Sequence, residues 1–180
     1  MSESVEQRNR ANRAELAERI ASAVREDGVV QPLPGLYLTR ASQPSERIFG
    51  ASRPSFCVIA QGGKEVYLGN SRYPYDADHY LLATVELPVT GRIVRASNEC
   101  PYLALRLELD ETLVGSVMAE AGIRAPRNQA EAKAIVVGPL DADLLDATVR
   151  PASRYARGPE IARWNCPNRP QDQAGWAGST

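Results

Sequence analysis

The chain has 180 residues, with 21 Lys and Arg against 22 Asp and Glu, one His and three Cys. That length suits one domain, or one domain with a tail, and is enough to bury a core. The cancelling charges remove the electrostatic case for nucleic acid or an anionic membrane, no run approaches the ~20 apolar residues of a membrane span, and the unrelated Cys spacings give neither a disulfide framework nor a zinc signature; the expected location is the cytoplasm.

Taken in order, residues 1–11 are polar and charged and read as a disordered N-terminus. Residues 12–27 read as a first helix: Asn12 and Glu15 resemble a capping box, Leu16, Ile20, Ala23 and Val24 form an apolar stripe, and Gly28 ends it. Two readings of that stripe are open, a partner-binding or dimerising face and a face docked on the chain's own sheet. From Gly28 to Thr39 the sheet begins, with Pro32 and Pro34 confining this part to an edge. Residues 40–54, with Ser42, Pro44, Gly50, Ser52 and Pro54, read as a loop able to cover a pocket mouth.

Residues 54–110 are the organising unit. Runs rich in Val, Ile, Leu and Tyr alternate with Gly, Pro, Asn and Asp about every ten residues, the pattern of an antiparallel sandwich or barrel. Gln61-Gly62-Gly63-Lys64 and Gly69-Asn70-Ser71 supply turns on either side of a short strand from Glu65 to Leu68. Tyr80 to Val85 lacks alternation and reads as a central strand. The clearest strand is Tyr102 to Leu109, where Leu103, Leu105, Leu107 and Leu109 share one face and Tyr102, Ala104, Arg106 and Glu108 the other. The leucine face is expected to be core, and Arg106 with Glu108 a solvated cross-strand pair.

Asp110 can cap a second helix with a stripe of Leu113, Val114, Val117, Met118 and Ala121, closed by Gly122. Ala134 to Val137 reads as a returning strand, and Asp141 caps a third helix carrying Leu144, Leu145 and Val149. Residues 151–180 hold Pro151, Pro159, Pro167 and Pro170 with Ile161, Trp164 and Trp176 in no period, and read as a divergent, disordered tail.

The motifs Cys57-Val-Ile-Ala-Gln-Gly-Gly-Lys64, Tyr67-Leu-Gly69, His79-Tyr-Leu-Leu-Ala-Thr-Val-Glu-Leu-Pro-Val89 and Pro101-Tyr-Leu-Ala-Leu-Arg-Leu-Glu-Leu-Asp110 together resemble the N-terminal domain of AraC-type transcription regulators. The match extends from about residue 10 to residue 150, so residues 12–150 read as one sensor domain. The resemblance implies a mainly β fold, a cupin-like jelly-roll barrel with N- and C-terminal helices, that senses a small-molecule effector and forms a homodimer. In that family helix-turn-helix units normally follow. No such pattern is visible here, so the chain is expected to be truncated before its DNA-binding part, by a frameshift near Arg150 or by a natural divergent tail. A freestanding cupin enzyme or small-molecule-binding protein is the alternative.

His79 is the one histidine, too few for a histidine-rich metal centre, and no Gly-x-Ser-x-Gly elbow is present. The reading therefore assigns no catalytic residue, metal, cofactor or DNA-binding residue. Gly62-Gly63-Lys64 lacks the context of a phosphate loop and reads as a hairpin turn. Cys57, among Phe56, Val58 and Ile59, reads as a buried inert thiol, whereas Cys100 is a candidate redox-sensing residue. Tyr67, Tyr75, His79 and Tyr80 are the candidate effector contacts.

Overall fold

The computed structural model describes residues 3–123 and 133–155. In chain order these form α1 (Glu3–Ala23), β1 (Gly28–Leu33), β2 (Leu36–Ala41), β3 (Ile48–Ser52), β4 (Ser55–Gln61), β5 (Gly63–Leu68), β6 (Ser71–Asp76) and β7 (His79–Ala83). There follow β8 (Leu87–Arg95), β9 (Tyr102–Glu108), α2 (Glu111–Glu120), β10 (Ile135–Pro139) and α3 (Ala142–Tyr155). The strands make a six-stranded sheet in the order β1-β2-β9-β4-β7-β10 and a four-stranded sheet in the order β3-β8-β5-β6. The fold is mainly β with flanking helices, and its two sheets face each other without closing into a barrel. No helix among the described residues is long and apolar enough to cross a membrane.

The six-stranded sheet is covered on both faces, which decides where its side chains go. Leu103 and Leu105 of β9, with Leu36 and Leu38 of β2 and Val58 of β4, meet Leu16, Ile20 and Val24 of α1 and Leu145 and Val149 of α3. The α1 stripe is therefore docked on the chain's own sheet, where each of those side chains contributes roughly 1.5–3 kcal/mol by burial. The opposite face, with Cys57, Ile59, Leu81, Tyr102 and Ala104, meets Val66, Tyr75, Val89 and Ile93 of the smaller sheet. Arg106 lies on this second face and is 6 % exposed, so the expected solvated pair with Glu108 is corrected: the face opposite the leucines is also core.

Turn and cap chemistry sets the register. Gly62 and Gly69, at φ +95° and +56°, take left-handed conformations at the two ends of β5. The Asp110 Oδ1 accepts from the Leu113 amide at 2.9 Å, and the Asp141 Oδ1 accepts from the Leu144 amide at 2.8 Å. β1, with its prolines, is an edge strand whose pairing with β2 is irregular between Val30 and Leu33.

Three boundaries differ from expectation. α1 starts at Glu3 rather than Asn12, because the Glu, Gln and Arg residues of the stretch read as disordered are good helix formers. It ends at Ala23, since the Asp27 carboxylate instead accepts the amide and hydroxyl of Ser42 at 2.8 and 2.7 Å, tying this segment to the end of β2. Residues 40–54 are not all loop, because β3 pairs along β8 as an edge strand. α3 continues through Pro151 to Tyr155, whereas the rest of the expected tail, residues 156–180, lies outside the described residues.

Candidate functional site

The space between the sheets combines apolar side chains with ionisable ones. Alternation along β5 places Lys64 on the same side as Val66, and alternation along β9 places Arg106 beside Ala104 and Tyr102. Lys64 is 1 % exposed. Burial, reinforced by the nearby Arg106 charge and opposed by Cys57, brings its amine down from 10.5 to about 7. The Arg106 guanidinium lies 4.1 Å from the centroid of the Tyr37 ring, with Nη2 at 3.5 Å from the Glu108 Oε1 and a buried Nε that has no hydrogen-bond partner. Cys57 sits between the two cations in this electrostatic sense: burial pushes its thiol up to about 12 although Arg106 and Lys64 both pull it down. Tyr75 and Tyr102 share a side-chain hydrogen bond, and burial raises both phenols.

A pocket of about 550 Å³ is lined by Gly62, Asp76, Asp78, Arg95, Ser97 and Cys100 among others. Neither Lys64 nor Arg106 lines it, and the alternation of β5 and β6 turns successive rungs to opposite faces. Gly63 pairs with Asp76 on one side and Arg95 on the other, and the next residue, Lys64, pairs with Tyr75 and Ile93. The Asp76 carboxylate organises the rim: it accepts from Arg95 Nη2 at 2.7 Å and the Asp78 amide at 3.1 Å, and pairs with His79 Nδ1 at 2.9 Å. Burial favours its neutral form, but the His79 and Arg95 hydrogen bonds outweigh that and hold it down at about 2. Asp78 in turn pairs with Arg13 of α1 at 2.5 Å, so the rim is joined to the helix layer.

The four candidate effector contacts fall in different places. Tyr75 faces the interior and is 5 % exposed, and His79 stands at the rim on Asp76. Tyr80 turns to the helix-covered face, its ring centroid 5.5 Å from that of Phe56. Tyr67 lies on the outer face of the smaller sheet, where its hydroxyl and Arg72 hydrogen-bond Glu65 and Arg47 stacks on its ring at 4.2 Å. The Arg72 hydrogen bond above all holds Glu65 down at about 2. Cys100 is exposed and lines the end pocket, whereas Cys57 is buried. Sequence reading missed Lys64 and Arg106 as interior residues. The available signal was the α1 stripe: a helix docked on the sheet claims the leucine face of β9 and leaves the Arg106 face to the other sheet.

The sequence profile of the AraC-type transcriptional regulator N-terminus matches residues 32–162. Among solved structures, apo ToxT from Vibrio cholerae aligns at 13% identity and TM-score 0.49, covering 67% of this chain and 48% of that one. ToxT from the same organism bound to an unsaturated fatty acid aligns at 12% identity and TM-score 0.46, covering 73% and 49%. A cupin-2 domain protein from Shewanella frigidimarina aligns at 7% identity and TM-score 0.32, covering 47% and 80%. The chain spans about half the length of the ToxT chains. No curated protein matches the sequence.

Proposed function

The chain belongs to the family of AraC-type transcriptional regulator N-terminal domains, and from that premise we propose that it senses a small-molecule effector between its two sheets and pairs with a second copy of itself. The observation that carries the reading is the interior itself. A core serving stability alone gains nothing from a lysine at 1 % exposure and an arginine at 6 %, because removing each cation from water costs several kcal/mol. Asp76, Asp78, Arg95 and Ser97 line a separate pocket of about 550 Å³, and a cavity of that size with a few polar groups supports a small-molecule site. Of the sequence candidates, the reading keeps Tyr75 and His79 as contacts, one inside and one at the rim.

Signal output follows from the ion pairs. An effector entering the pocket competes for the Asp76 and Asp78 rim, and Asp78 holds Arg13 of α1. α1 packs on α3 and is further tied to it by Arg8 Nη2 and Asp143 Oδ1 at 2.7 Å. Effector binding thus shifts the balance between arrangements of the helix layer. Pairing is supported by α2, whose Leu113, Val114 and Val117 are 63, 38 and 56 % exposed, an apolar stripe uncovered among the described residues. No catalytic step is assigned to the interior groups.

The test is hydrogen exchange. A panel of small metabolites is screened by thermal shift, and exchange is then measured with and without each stabilising compound. Protection of β4, β5 and β9 together with altered exchange in α1 is expected. Protection confined to the outer sheet surface, or no stabilising compound at all, contradicts the reading.

A further inference from the structure

Resting on the pairing half of the reading above, we infer that each copy lays its α2 across the outer face of the smaller sheet of the other copy, so that two equivalent helix-on-sheet contacts close the dimer. The receiving face is fixed by register. Phe49 of β3 pairs with Thr90 of β8, Thr90 with Tyr67 of β5, and Tyr67 with Arg72 of β6. Residues paired in this way share a face. Val66, Val89, Ile93 and Tyr75 fill the inner face, so this rung points outward across all four strands. The neighbouring rung carries Arg92, Glu65 and Pro74, and Arg47 stacks over the Tyr67 ring, 4.2 Å from its centroid. Glu65 is the one anion of this set. It is buried under the Tyr67 hydroxyl, Arg72 and Arg92, so three guanidiniums against one carboxylate leave the set with an excess of two positive charges. A guanidinium has five N–H donors, which leaves Arg72 and Arg92 with donors for a further carboxylate. Phe49, 79 % exposed, is the most exposed large apolar side chain among the described residues. Exposed aromatic side chains set among arginines are the composition of a protein interface.

The helix supplies the complement. From Asp110 to Ile123 the chain has three acidic residues, Asp110, Glu111 and Glu120, and no basic one, and none of the α2 side chains is buried. Leu113, Val114 and Val117 make the apolar stripe between Glu111 and Glu120. Two such helices set against each other bring like charges together with no cation between them, a juxtaposition that costs affinity. Against the outer sheet face the same acids meet Arg47, Arg72 and Arg92, and the stripe meets Phe49 and the Tyr67 ring. The dimensions agree. α2 has 10 residues and is about 15 Å long, while the strands β3, β8, β5 and β6 span about 14 Å from first to last. Because the contact is made twice about a two-fold axis, both helices are covered and neither copy keeps a free face for a third chain.

The experiment combines sedimentation equilibrium of the full chain with disulfide trapping. Arg47→Glu changes an exposed side chain and should raise the dimer dissociation constant about 10-fold or more, as should Glu111→Arg combined with Glu120→Arg. Arg25→Glu, also exposed but outside the proposed contact, should leave it within about 2-fold. For trapping, Thr90→Cys and Val117→Cys are prepared as separate proteins, each also carrying Cys100→Ser and Cys166→Ser. They are mixed in equal amounts and oxidised in air, and the linked peptides are identified by mass spectrometry. The inference expects linkage between position 90 of one copy and position 117 of the other, at least about 10-fold more abundant than either protein linked to itself. Val117→Cys linking mainly to itself means that two α2 helices meet, which overturns the inference and leaves the pairing reading standing. An unchanged dissociation constant in Arg47→Glu, or no linkage between positions 90 and 117 in a protein that still dimerises, overturns the inference and leaves pairing to another surface. A chain that sediments as a monomer at every concentration overturns the inference and the pairing half of the reading together, with α2 then covered by other residues of the chain or by a different partner. The sensing half is decided separately by the metabolite panel with hydrogen exchange.

Discussion

Replacing Lys64 with Met should make this domain more stable and blind. Lys64 is 1 % exposed, and its amine falls from 10.5 in the unfolded chain to about 7 in the fold. The fold therefore disfavours the charged form. At any pH between those values the unfolded chain binds more protons, so stability rises with pH by up to about 1.4 kcal/mol per pH unit. Below the lower value the penalty is fully present, and above the upper one it is gone. The rise is cut off from above: Cys57 and Tyr75 ionise in the unfolded chain near 9.0 and 10.0, but burial keeps them protonated in the fold, so each makes stability fall as pH passes its unfolded value. Urea unfolding followed by circular dichroism should thus show a gain of roughly 2 kcal/mol between pH 7 and 8.5, followed by a decline. Lys64→Met removes the rising limb and keeps the declining one, and at pH 7 it should add roughly 1–4 kcal/mol, as replacing buried ionic groups with apolar side chains of similar volume does. The same variant should lose effector binding, a trade of function for stability. A Lys64→Met protein less stable than the parent at pH 7, or one that retains the rise between pH 7 and 8.5, would refute the reasoning.

At the other end of the scale, Glu65 and Asp76 are both held at about 2 by their arginine and tyrosine or histidine partners, so they add stability above their unfolded values that is lost as pH falls through about 4 towards 2; acid titration of Glu65→Gln should show a shallower loss. Gly62→Ala combines a φ of +95° with a Cβ placed 2.5 Å from the Arg95 carbonyl oxygen, and should cost roughly 2–4 kcal/mol in urea unfolding. Cys100, being exposed, should react with a thiol reagent within minutes, and Cys57 only upon unfolding; equal rates for both would contradict the buried position of Cys57. Val117→Glu on α2 alters a side chain 56 % exposed, so monomer stability should stay within about 0.5 kcal/mol while dimer affinity falls at least about 10-fold by sedimentation.

Local chemistry made much of the fold legible. Gly62 and Gly69 bracket β5 because left-handed turn positions favour glycine, and Asp110 and Asp141 mark the starts of α2 and α3 because a carboxylate one residue before a helix accepts its free amides. The period of two in β9 gave its two faces correctly but not their surroundings. Both are covered over most of their length, one by α1 and α3 as far as Leu105, with Leu107 40 % exposed, and one by the smaller sheet, and no local pattern says which set of residues meets which layer. This is why Arg106 read as solvated, and why Tyr67 and Tyr80 joined Tyr75 as contacts although they lie on the outer face and the helix side. β3 was missed because Gly50, Ala51 and Ser52 have little strand preference and are placed by pairing with β8. The early start of α1 was missed because its first residues carry no apolar stripe, and the helix there rests on propensity and an ion pair from Arg8 to Asp143.

The proposed role makes the pairing of two copies depend on what the domain binds. The most direct measurement is therefore the dimer dissociation constant by sedimentation equilibrium, with and without a saturating amount of the panel compound that most raises the melting temperature. Coupling through Asp78, Arg13 and the helix layer predicts a change of at least about 5-fold in either direction, and its disappearance in Arg13→Ala. A dissociation constant that stays the same when the interior is fully occupied would contradict the account.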